Sequence, residues 1–257
     1  LNRAFCFLAS SKLFHFYAMT RHFLTLKDLS RSELIALIQR AIALKKDPTG
    51  PQTAELMRLQ TMVLIFEKTS TRTRTSFEVA CAHLGGSSIF LSPTDSQIIS
   101  GVSVGDTAGI VSSMADVIVM RKSEHGQICT MAEYSSVPVI NALSEDFHPC
   151  QLLADLQTFF EHRGNIQNAR AAFVGDGSSN VCQSWINAAA MMDFELRIGA
   201  PEGYHPQPAL VESAGDRCQI TTSAQEAVSD VDLVITDTWT GMGQEDEKTQ
   251  RLDALGD

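Results

Sequence analysis

The chain has 257 residues, a length that suits one large domain or two smaller ones. Hydrophobic residues make up 44% and charged residues 19% of the composition, which excludes a disordered or low-complexity protein. Acidic residues outnumber Lys and Arg by 30 to 20, and the formal net charge of −10 argues against nucleic acid as a partner.

Neither a membrane span nor a disulfide framework is indicated by the sequence. No apolar run reaches the roughly 18–20 residues that cross a bilayer. The six cysteines are scattered, without a close pair at zinc-binding or redox spacing. We therefore expect reduced thiols in a cytoplasmic protein.

The first eighteen residues differ from the rest of the chain. They contain Arg3 and Lys12 but no acidic residue, a composition typical of a mitochondrial presequence. The alternative, which we favour, is upstream sequence before a natural start at Met19. On either interpretation, residues 1–18 are a leader or upstream segment outside the fold.

From Met19 onward, helix and strand patterns alternate. Ser30 and Glu33 fit a capping box at the start of an amphipathic helix over residues 31–46. Proline and glycine at positions 48, 50 and 51 are expected to end it. The first series of predicted strands is 61–67, 87–91, 116–120 and 137–141, and the predicted helices are 71–84, 105–114, 126–134 and 149–162.

A polar joint, HRGNIQNAR at 162–170, precedes a second series. Its predicted strands are 171–175, 195–200, 218–222 and 231–236, and its predicted helices are 180–193, 207–214 and 224–229. Strands separated by helices of this length predict parallel sheets with helices on both faces. The predicted fold class is α/β with two domains, residues 19–162 and 163–257, and the active site in the cleft between them.

The strongest local signal is the run of hydroxyl and guanidinium side chains in Ser70–Arg74, where a buried strand gives way to a helix. Amides at a helix start carry partial positive charge, and guanidinium groups bind phosphate oxygens. The run therefore predicts a site for a phosphate dianion. An ordinary Ser/Thr N-cap with solvated arginines is the alternative.

His148 and Gln151 open a second helix, where His148 could polarise a carbonyl and Gln151 could bind an amide. A common His-Pro helix entry explains the same residues, and Cys150 has no nearby base to make it a nucleophile. Gly175-Asp176-Gly177 follows a strand, but Asn180 stands where a dinucleotide fingerprint requires glycine or alanine. We interpret this loop as one that presents Asn180 to a polar ligand. Asp237 follows another strand end, where open α/β folds bind ligands.

Taken in chain order, these motifs resemble those of ornithine carbamoyltransferases of the bacterial type, in the aspartate/ornithine carbamoyltransferase superfamily. The resemblance rests on STRTR at 70–74, Gln97 ahead of Asp106-Thr107, Arg121 after DVIVM, HPCQ at 148–151, GDGSSN at 175–180 and DTWTGMGQE at 237–245. It extends from about Met19 to the end of the chain.

The resemblance implies transfer of a carbamoyl group from carbamoyl phosphate to the side-chain amine of L-ornithine, giving L-citrulline and phosphate. This is a reaction of arginine biosynthesis and of urea-cycle chemistry, and its direction stays open. The residues implied to act in catalysis are Arg72, Thr73, Arg121, His148 and Gln151. Those implied to bind substrate are these five together with Ser70, Thr71, Gln97, Asn180, Asp237 and Met242.

Assembly and cofactors also follow from the resemblance. Gln97 lies in a loop that the family offers to a neighbouring subunit's site, which implies a homotrimer. Neither a metal nor an organic cofactor is implied. The chemistry is consistent with this, because donors such as Arg72, Thr73 and His148 can stabilise the charge that develops on the carbonyl oxygen, and orientation of the two substrates lowers the barrier further.

Three features depart from the family's pattern. Gly241 stands where serine usually precedes methionine, GDGSSN is one residue longer than usual, and the chain ends at Arg251–Asp257, before the family's His-Cys-Leu-Pro segment and final helix. We therefore expect a chain truncated at its carboxyl end, which binds carbamoyl phosphate better than it turns over ornithine.

Three alternatives remain at this point. A sister carbamoyltransferase would use aspartate or putrescine as acceptor, although Asp237 suits the α-ammonium group of ornithine better than a diamine. A catalytically impaired remnant would keep only the fold and the phosphate pocket. A dinucleotide-dependent oxidoreductase is disfavoured by the incomplete glycine fingerprint.

Overall fold

The computed structural model describes residues 20–68, 70–92, 102–240 and 245–256. The chain forms two compact units, the first ending at Glu161 and the second beginning at His162. Within the described residues, no helix is both long and apolar enough to cross a lipid bilayer. The segment 1–18, interpreted above as a leader or upstream sequence, lies outside the described residues.

The first unit is built on a four-stranded parallel sheet. Its strands are β1 (Thr61–Phe66), β2 (Ser87–Leu91), β3 (Val117–Arg121) and β4 (Val139–Leu143), in the order β2-β1-β3-β4. Its helices are α1 (Arg31–Lys46), α2 (Pro51–Ala54), α3 (Thr71–His83), α4 (Val104–Ser112), α5 (His125–Tyr134) and α6 (Pro149–Arg163).

The core of this unit follows from its apolar strands. Alternate residues of β1 and β3 pack with apolar residues of α4 and α5 in one buried cluster, which includes Val63, Ile65, Ile118, Met120, Val111, Ile128 and Met131. Every residue of β3 is buried, whereas β2 at the sheet edge is exposed over its first three residues. Strands with both faces covered are expected to be continuously apolar, and β1 and β3 have this pattern.

The second unit contains another four-stranded parallel sheet. Its strands are β5 (Arg170–Val174), β6 (Glu195–Gly199), β7 (Cys218–Thr221) and β8 (Leu233–Thr236), in the order β7-β6-β5-β8. Its helices are α7 (Asn180–Met192), α8 (Pro208–Ala214), α9 (Ala224–Ala227) and α10 (Lys248–Leu255). The predicted α/β class, with two parallel sheets flanked by helices, is thus confirmed.

Predicted elements agree with the structure to within two residues at each end. The capping box of α1 is confirmed, because Glu33 N donates to Ser30 Oγ and Ser30 N donates to Glu33 Oε2, at 3.3 and 2.8 Å. The strand predicted over 137–141 instead begins at Val139, since Pro138 has no N–H to offer a ladder. Pro51 does not only end a helix, because it is also the first residue of α2.

Both sheets have a point at which the chain order reverses. From β1 the chain continues to β2 on one side, and β3 then joins the other side of β1. In the second sheet, β6 and β7 extend to one side of β5, whereas β8 pairs with its other side. Loops that leave two such neighbouring strands in opposite directions form a crevice at their carboxyl ends, where open α/β sheets bind ligands.

Candidate active site

The first candidate residues lie where β1 ends and α3 begins. Ser70 is the N-cap of α3, and its hydroxyl makes no capping hydrogen bond within the helix. Instead, Nη1 of Arg121 donates to Ser70 Oγ at 2.9 Å and to Thr73 Oγ1 at 3.2 Å. We call these three residues, Ser70, Thr73 and Arg121, the Arg121 cluster. It combines a cation, two hydroxyls and the positive end of a helix dipole at the first switch point.

Arg121 is held by its position at the end of β3. It is only 9% exposed, and the pairing of β3 with β4 shifts register between Met120 and Arg121. Such irregularities re-aim the side chains beside them. Burial lowers the pKa of Arg121, yet a guanidinium remains protonated at neutral pH. The result is a fixed cation suited to an anionic group.

A second set of contacts connects the carboxyl ends of the same strands. Lys122 Nζ pairs with Glu67 Oε1 at 3.0 Å, and Ser123 N donates to Glu67 Oε2 at 2.8 Å. Burial acts to raise the pKa of Glu67, but the hydrogen bonds from Ser123 and Lys122 outweigh it and keep the pKa below its usual value. Glu67 N also donates to Arg121 O at 2.9 Å. These contacts keep the loop after β1 beside the end of β3.

His148 immediately precedes α6 and lies close enough to Arg121 to respond to its charge. Burial, followed by the positive charge of Arg121, lowers the pKa of His148 to about 4. The imidazole is therefore neutral at pH 7, so it can donate one hydrogen bond without carrying a charge. Gln151 is one turn further along, where its Nε2 donates to Asp155 Oδ1 at 2.9 Å.

Cys150 is not a candidate nucleophile. Its side chain is buried, and its Sγ donates to the backbone oxygen of Asn141 at 3.1 Å. Burial raises the pKa of the Cys150 thiol far above its usual value, so the reactive thiolate is not formed near neutral pH.

The side chains of α3 that precede and follow Thr73 have different surroundings. Thr71 and Arg72 are exposed to solvent. Arg74 pairs with Glu78 at 3.0 Å, and its Cζ lies 3.7 Å from the centroid of the Phe90 ring. The two arginines predicted to bind a phosphate therefore differ. Arg74 is held by an ion pair and a ring contact, whereas no such contact of Arg72 is found among the described residues.

In the second unit, the Gly-Asp-Gly turn after β5 has a steric explanation. Gly175 has a φ of +124°, and a Cβ there would lie 3.3 Å from Nε1 of Trp239. A Cβ on Gly177 would lie 2.8 Å from the backbone oxygen of Tyr204. Gly175 is therefore favoured by its positive φ and Gly177 by the close approach of the Tyr204 backbone, which accounts for the Gly-x-Gly pattern.

Asn180 and Asp237 lie after two neighbouring strands, at the second switch point. Asn180 is the half-buried first residue of α7, whose N-cap Ser179 accepts a hydrogen bond from Cys182 N at 3.2 Å. Asp237 is exposed, and its Oδ1 accepts from Thr238 N at 2.8 Å. Both predicted residues therefore lie at the carboxyl end of the second sheet.

Arg251 is a further residue of this site that the sequence analysis does not identify, since the end of the chain is polar and lacks an apolar helix pattern. It lies on α10 and is 6% exposed. Its Nη2 forms an ion pair with Asp176, and its Nε donates to the backbone oxygen of Trp239 at 2.6 Å. One guanidinium thereby connects the loop that precedes Asn180 to the loop that follows Asp237. The i,i+4 pairing of Glu247 with Arg251 was the available signal.

Two predicted residues, Gln97 and Met242, lie outside the described residues, as does Gly241. Of the others, the structure brings together Ser70, Thr73, Arg121 and His148 in the first unit. Thr71 and Arg72 lie on α3, which also carries Thr73, and Gln151 lies on α6, which follows His148. Asn180 and Asp237 belong to the second unit.

Two family models together match most of the chain. One, described as the carbamoyl-P binding domain of aspartate/ornithine carbamoyltransferase, matches residues 21–161. The other, described as the Asp/Orn binding domain of aspartate/ornithine carbamoyltransferase, matches residues 167–257.

Curated relatives have closely similar sequences. The chain is 50% identical over 236 residues to the ornithine carbamoyltransferase of Nitrosococcus oceani, covering 92% of this chain and 77% of that protein. It is 48% identical over 232 residues to the anabolic ornithine carbamoyltransferase of Pseudomonas aeruginosa, covering 90% of this chain and 76% of that protein. The chain thus spans about three quarters of the length of these relatives.

Solved structures give the same result. The anabolic ornithine carbamoyltransferase of Campylobacter jejuni superposes with a TM-score of 0.84 at 42% identity, over 92% of this chain and 79% of that one. The ornithine carbamoyltransferase of Pyrococcus furiosus superposes with a TM-score of 0.85 at 34% identity, over 93% and 79%. On the evidence of both domains, the chain is a member of the aspartate/ornithine carbamoyltransferase family.

Proposed function

We propose that the protein is an ornithine carbamoyltransferase, which transfers the carbamoyl group of carbamoyl phosphate to the side-chain amine of L-ornithine and releases L-citrulline and phosphate. The observation that carries the proposal is the Arg121 cluster at the first switch point, with neutral His148 under the influence of the same guanidinium. Relatives at 46–50% identity are named ornithine carbamoyltransferases.

The phosphate group of carbamoyl phosphate is assigned to the start of α3. Ser70, Thr71, Arg72 and Thr73 offer hydroxyls, a solvent-facing guanidinium and helix amides, and Arg121 adds a buried cation. Charge-assisted bonds from guanidinium groups to phosphate oxygens are among the strongest in proteins. The same contacts stabilise the leaving phosphate as the bond to the carbamoyl carbon breaks. The cations are local, so the overall negative charge of the chain does not prevent binding.

The carbamoyl group is assigned to His148 and Gln151. Attack by the neutral amine of ornithine places negative charge on the carbonyl oxygen, and the N–H of neutral His148 can donate to that oxygen. Gln151 already donates through Nε2 to Asp155, so its Oε1 is the group that can accept from the carbamoyl NH2. Arg72 and Thr73 add donors on the phosphate side of the reacting carbon.

The acceptor is assigned to the second unit. Asp237 supplies a carboxylate for the α-ammonium group of ornithine, and Asn180 supplies an amide for its polar end. Met242 is proposed for the same substrate. The Asp237 carboxylate favours an α-amino acid acceptor over a diamine.

Assembly and location extend the proposal. We expect a homotrimer in which Gln97 contributes to the site of a neighbouring subunit, and we expect no metal or organic cofactor. The five described cysteines are all free thiols, which suits a reducing compartment such as the cytoplasm. The name of the Pseudomonas aeruginosa relative favours the anabolic direction.

The direct experiment uses carbamoyl phosphate that is isotopically labelled in its carbamoyl group and follows the label into product. Ornithine, aspartate and putrescine are offered as separate acceptors. Labelled citrulline from ornithine alone is the expected result. Carbamoylaspartate or carbamoylputrescine would instead indicate a sister enzyme. Binding of carbamoyl phosphate by calorimetry, without product from any acceptor, would indicate a phosphate-binding remnant.

A further inference from the structure

A hydrogen-bonded turn precedes His148, and its side chains are outside the predicted site. The turn runs from Ser144, which follows β4, to Phe147, whose backbone continues directly into His148. Ser144 N donates to Phe147 O at 2.9 Å, and Phe147 N donates to Ser144 Oγ at 3.1 Å. Because both backbone groups of Phe147 are occupied, the position at which His148 leaves the turn is fixed.

Two side chains from other parts of the first unit hold this turn. Asn141 is fully buried, and its Nδ2 donates to the backbone oxygens of Leu24 at 2.9 Å and of Phe147 at 3.3 Å. His125, the first residue of α5, contacts Ser144 Oγ through Nδ1 at 2.9 Å. Its ring also packs edge-on against the Phe147 ring, with 5.1 Å between centroids. His125 thus contacts both ends of the turn.

The contacts of His125 distinguish it from a residue that only stabilises its own helix. Its hydrogen bond and its ring contact are both made with the turn after β4, which is 19 or more residues away in the chain. His148 on the other side of Phe147 needs a defined orientation toward Arg121 if it is to donate to a carbonyl oxygen. A displacement of ~1 Å in such a group can reduce a rate by about a hundredfold.

We propose that His125 is a positioning residue for His148, acting through Ser144 and Phe147. The role in turnover rests on the proposed function, since it assumes that His148 donates to the carbamoyl oxygen. The positioning of His148 by His125 does not rest on the proposed function, because the orientation of His148 can be measured without substrate.

Three variants separate the contributions. His125→Phe keeps a ring against Phe147 but removes the hydrogen bond to Ser144. His125→Asn removes the ring and keeps a polar atom near the position of Nδ1. His125→Ala removes both contacts. Comparison of His125→Phe with His125→Asn therefore tests the hydrogen bond separately from the ring packing.

The first readout is the pKa of His148, measured by NMR on protein with labelled histidine and assigned with His148→Gln. The expected value in the unmodified protein is about 4. His125→Phe should move the pKa of His148 upward, toward 6.5, because the imidazole leaves its buried position beside Arg121. His125→Asn should return the pKa toward that of the unmodified protein. An unchanged pKa in His125→Phe and His125→Ala would overturn the proposal.

The second readout is citrulline formation, with kcat normalised to the number of carbamoyl phosphate sites measured by calorimetry. This normalisation removes the effect of any unfolded fraction. His125→Phe should lower kcat roughly tenfold, up to the hundredfold that misplacement can produce, with a much smaller change in KM for carbamoyl phosphate. His125→Asn should recover most of the loss. Equal normalised kcat in all variants would contradict the proposal, whereas no citrulline from the unmodified protein would count against the proposed function and leave the NMR result to decide this inference.

Discussion

Arg121 and Arg74 both lie near the start of α3, but their partners differ. Arg121 donates to Ser70 and Thr73, whereas Arg74 is occupied by Glu78 and Phe90. We predict that Arg121→Lys weakens carbamoyl phosphate binding at least tenfold, because a charge-assisted hydrogen bond of ~1.5–3 kcal/mol is lost with the planar fork. Arg74→Lys should change the affinity by less than about threefold, as expected for an exposed ion pair. Calorimetry on both variants checks this, and equal losses would contradict it.

His148 gives the free energy of unfolding a pH dependence with a definite sign. Its folded pKa of about 4 lies below the ordinary 6.5, so between these values the unfolded chain binds a proton that the folded chain does not. Stability therefore rises with pH across this window and is lost as the pH falls through it. The contribution of one such group approaches ~1.4 kcal/mol per pH unit.

The variant His148→Gln should have a shallower slope of unfolding free energy between pH 4 and 6.5. His22 and His125 also have pKa values lowered by burial, but they are present in both proteins, so the difference in slope belongs to His148. Denaturant titrations at several pH values measure it. Parallel slopes for the two proteins would show that His148 is not buried as a neutral group.

Part of the candidate site could be predicted from residue types alone. Hydroxyls and arginines at a strand-to-helix junction indicated the anion site, and Arg121 and His148 were found by their places in motifs. The different surroundings of Arg72 and Arg74 were not predicted. Residues two apart on a helix point to different faces, so helical geometry could have separated them. The contacts of His125 join residues distant in the chain, and no local pattern reveals them.

At the scale of elements, α10 is attached to the rest of its unit by a buried ion pair. Arg251→Met would leave the Asp176 carboxylate buried without its cation, which costs about 3–5 kcal/mol. We predict that this variant unfolds at lower denaturant concentration, and that Asp176→Asn in the same chain recovers part of the loss. The two tryptophans, Trp185 and Trp239, both lie in the second unit, so their fluorescence reports its unfolding.

The matched control is Arg217→Met. Arg217 also pairs with an aspartate, Asp193, but the two side chains are 46% and 33% exposed, and such pairs contribute about 0–1 kcal/mol. Similar destabilisation by both substitutions would mean that burial of the Asp176 pair is not what matters.

Strands and long helices were predictable because their signals are local. Apolar runs such as TMVLIF and capping residues such as Ser30 specify an element by themselves. The sequence does not indicate the short helices α2 and α10, since α2 has only four residues and α10 is mostly polar, with a single buried residue. Its stability comes from the contacts of Arg251 with distant loops, which the spacing of apolar residues does not encode.

On the scale of the whole molecule, each sheet is formed only by strands of its own unit. We predict that residues 19–162 alone fold cooperatively, with unfolding free energy within the roughly 5–15 kcal/mol of small domains. Circular dichroism during denaturant titration measures this, since the fragment contains no tryptophan. A gradual, non-cooperative transition would show that the first unit depends on the second and would contradict the proposed boundary.

The pairing of β8 with β5 has a consequence for synthesis on the ribosome. β5 is translated first in its unit, and its partner β8 follows about 60 residues later. At ~5–20 residues per second, one edge of β5 stays open for several seconds after it emerges. An open apolar strand edge is a site for pairing with other nascent chains. During the interval before β8 arrives, chaperone protection of this edge would therefore reduce mispairing.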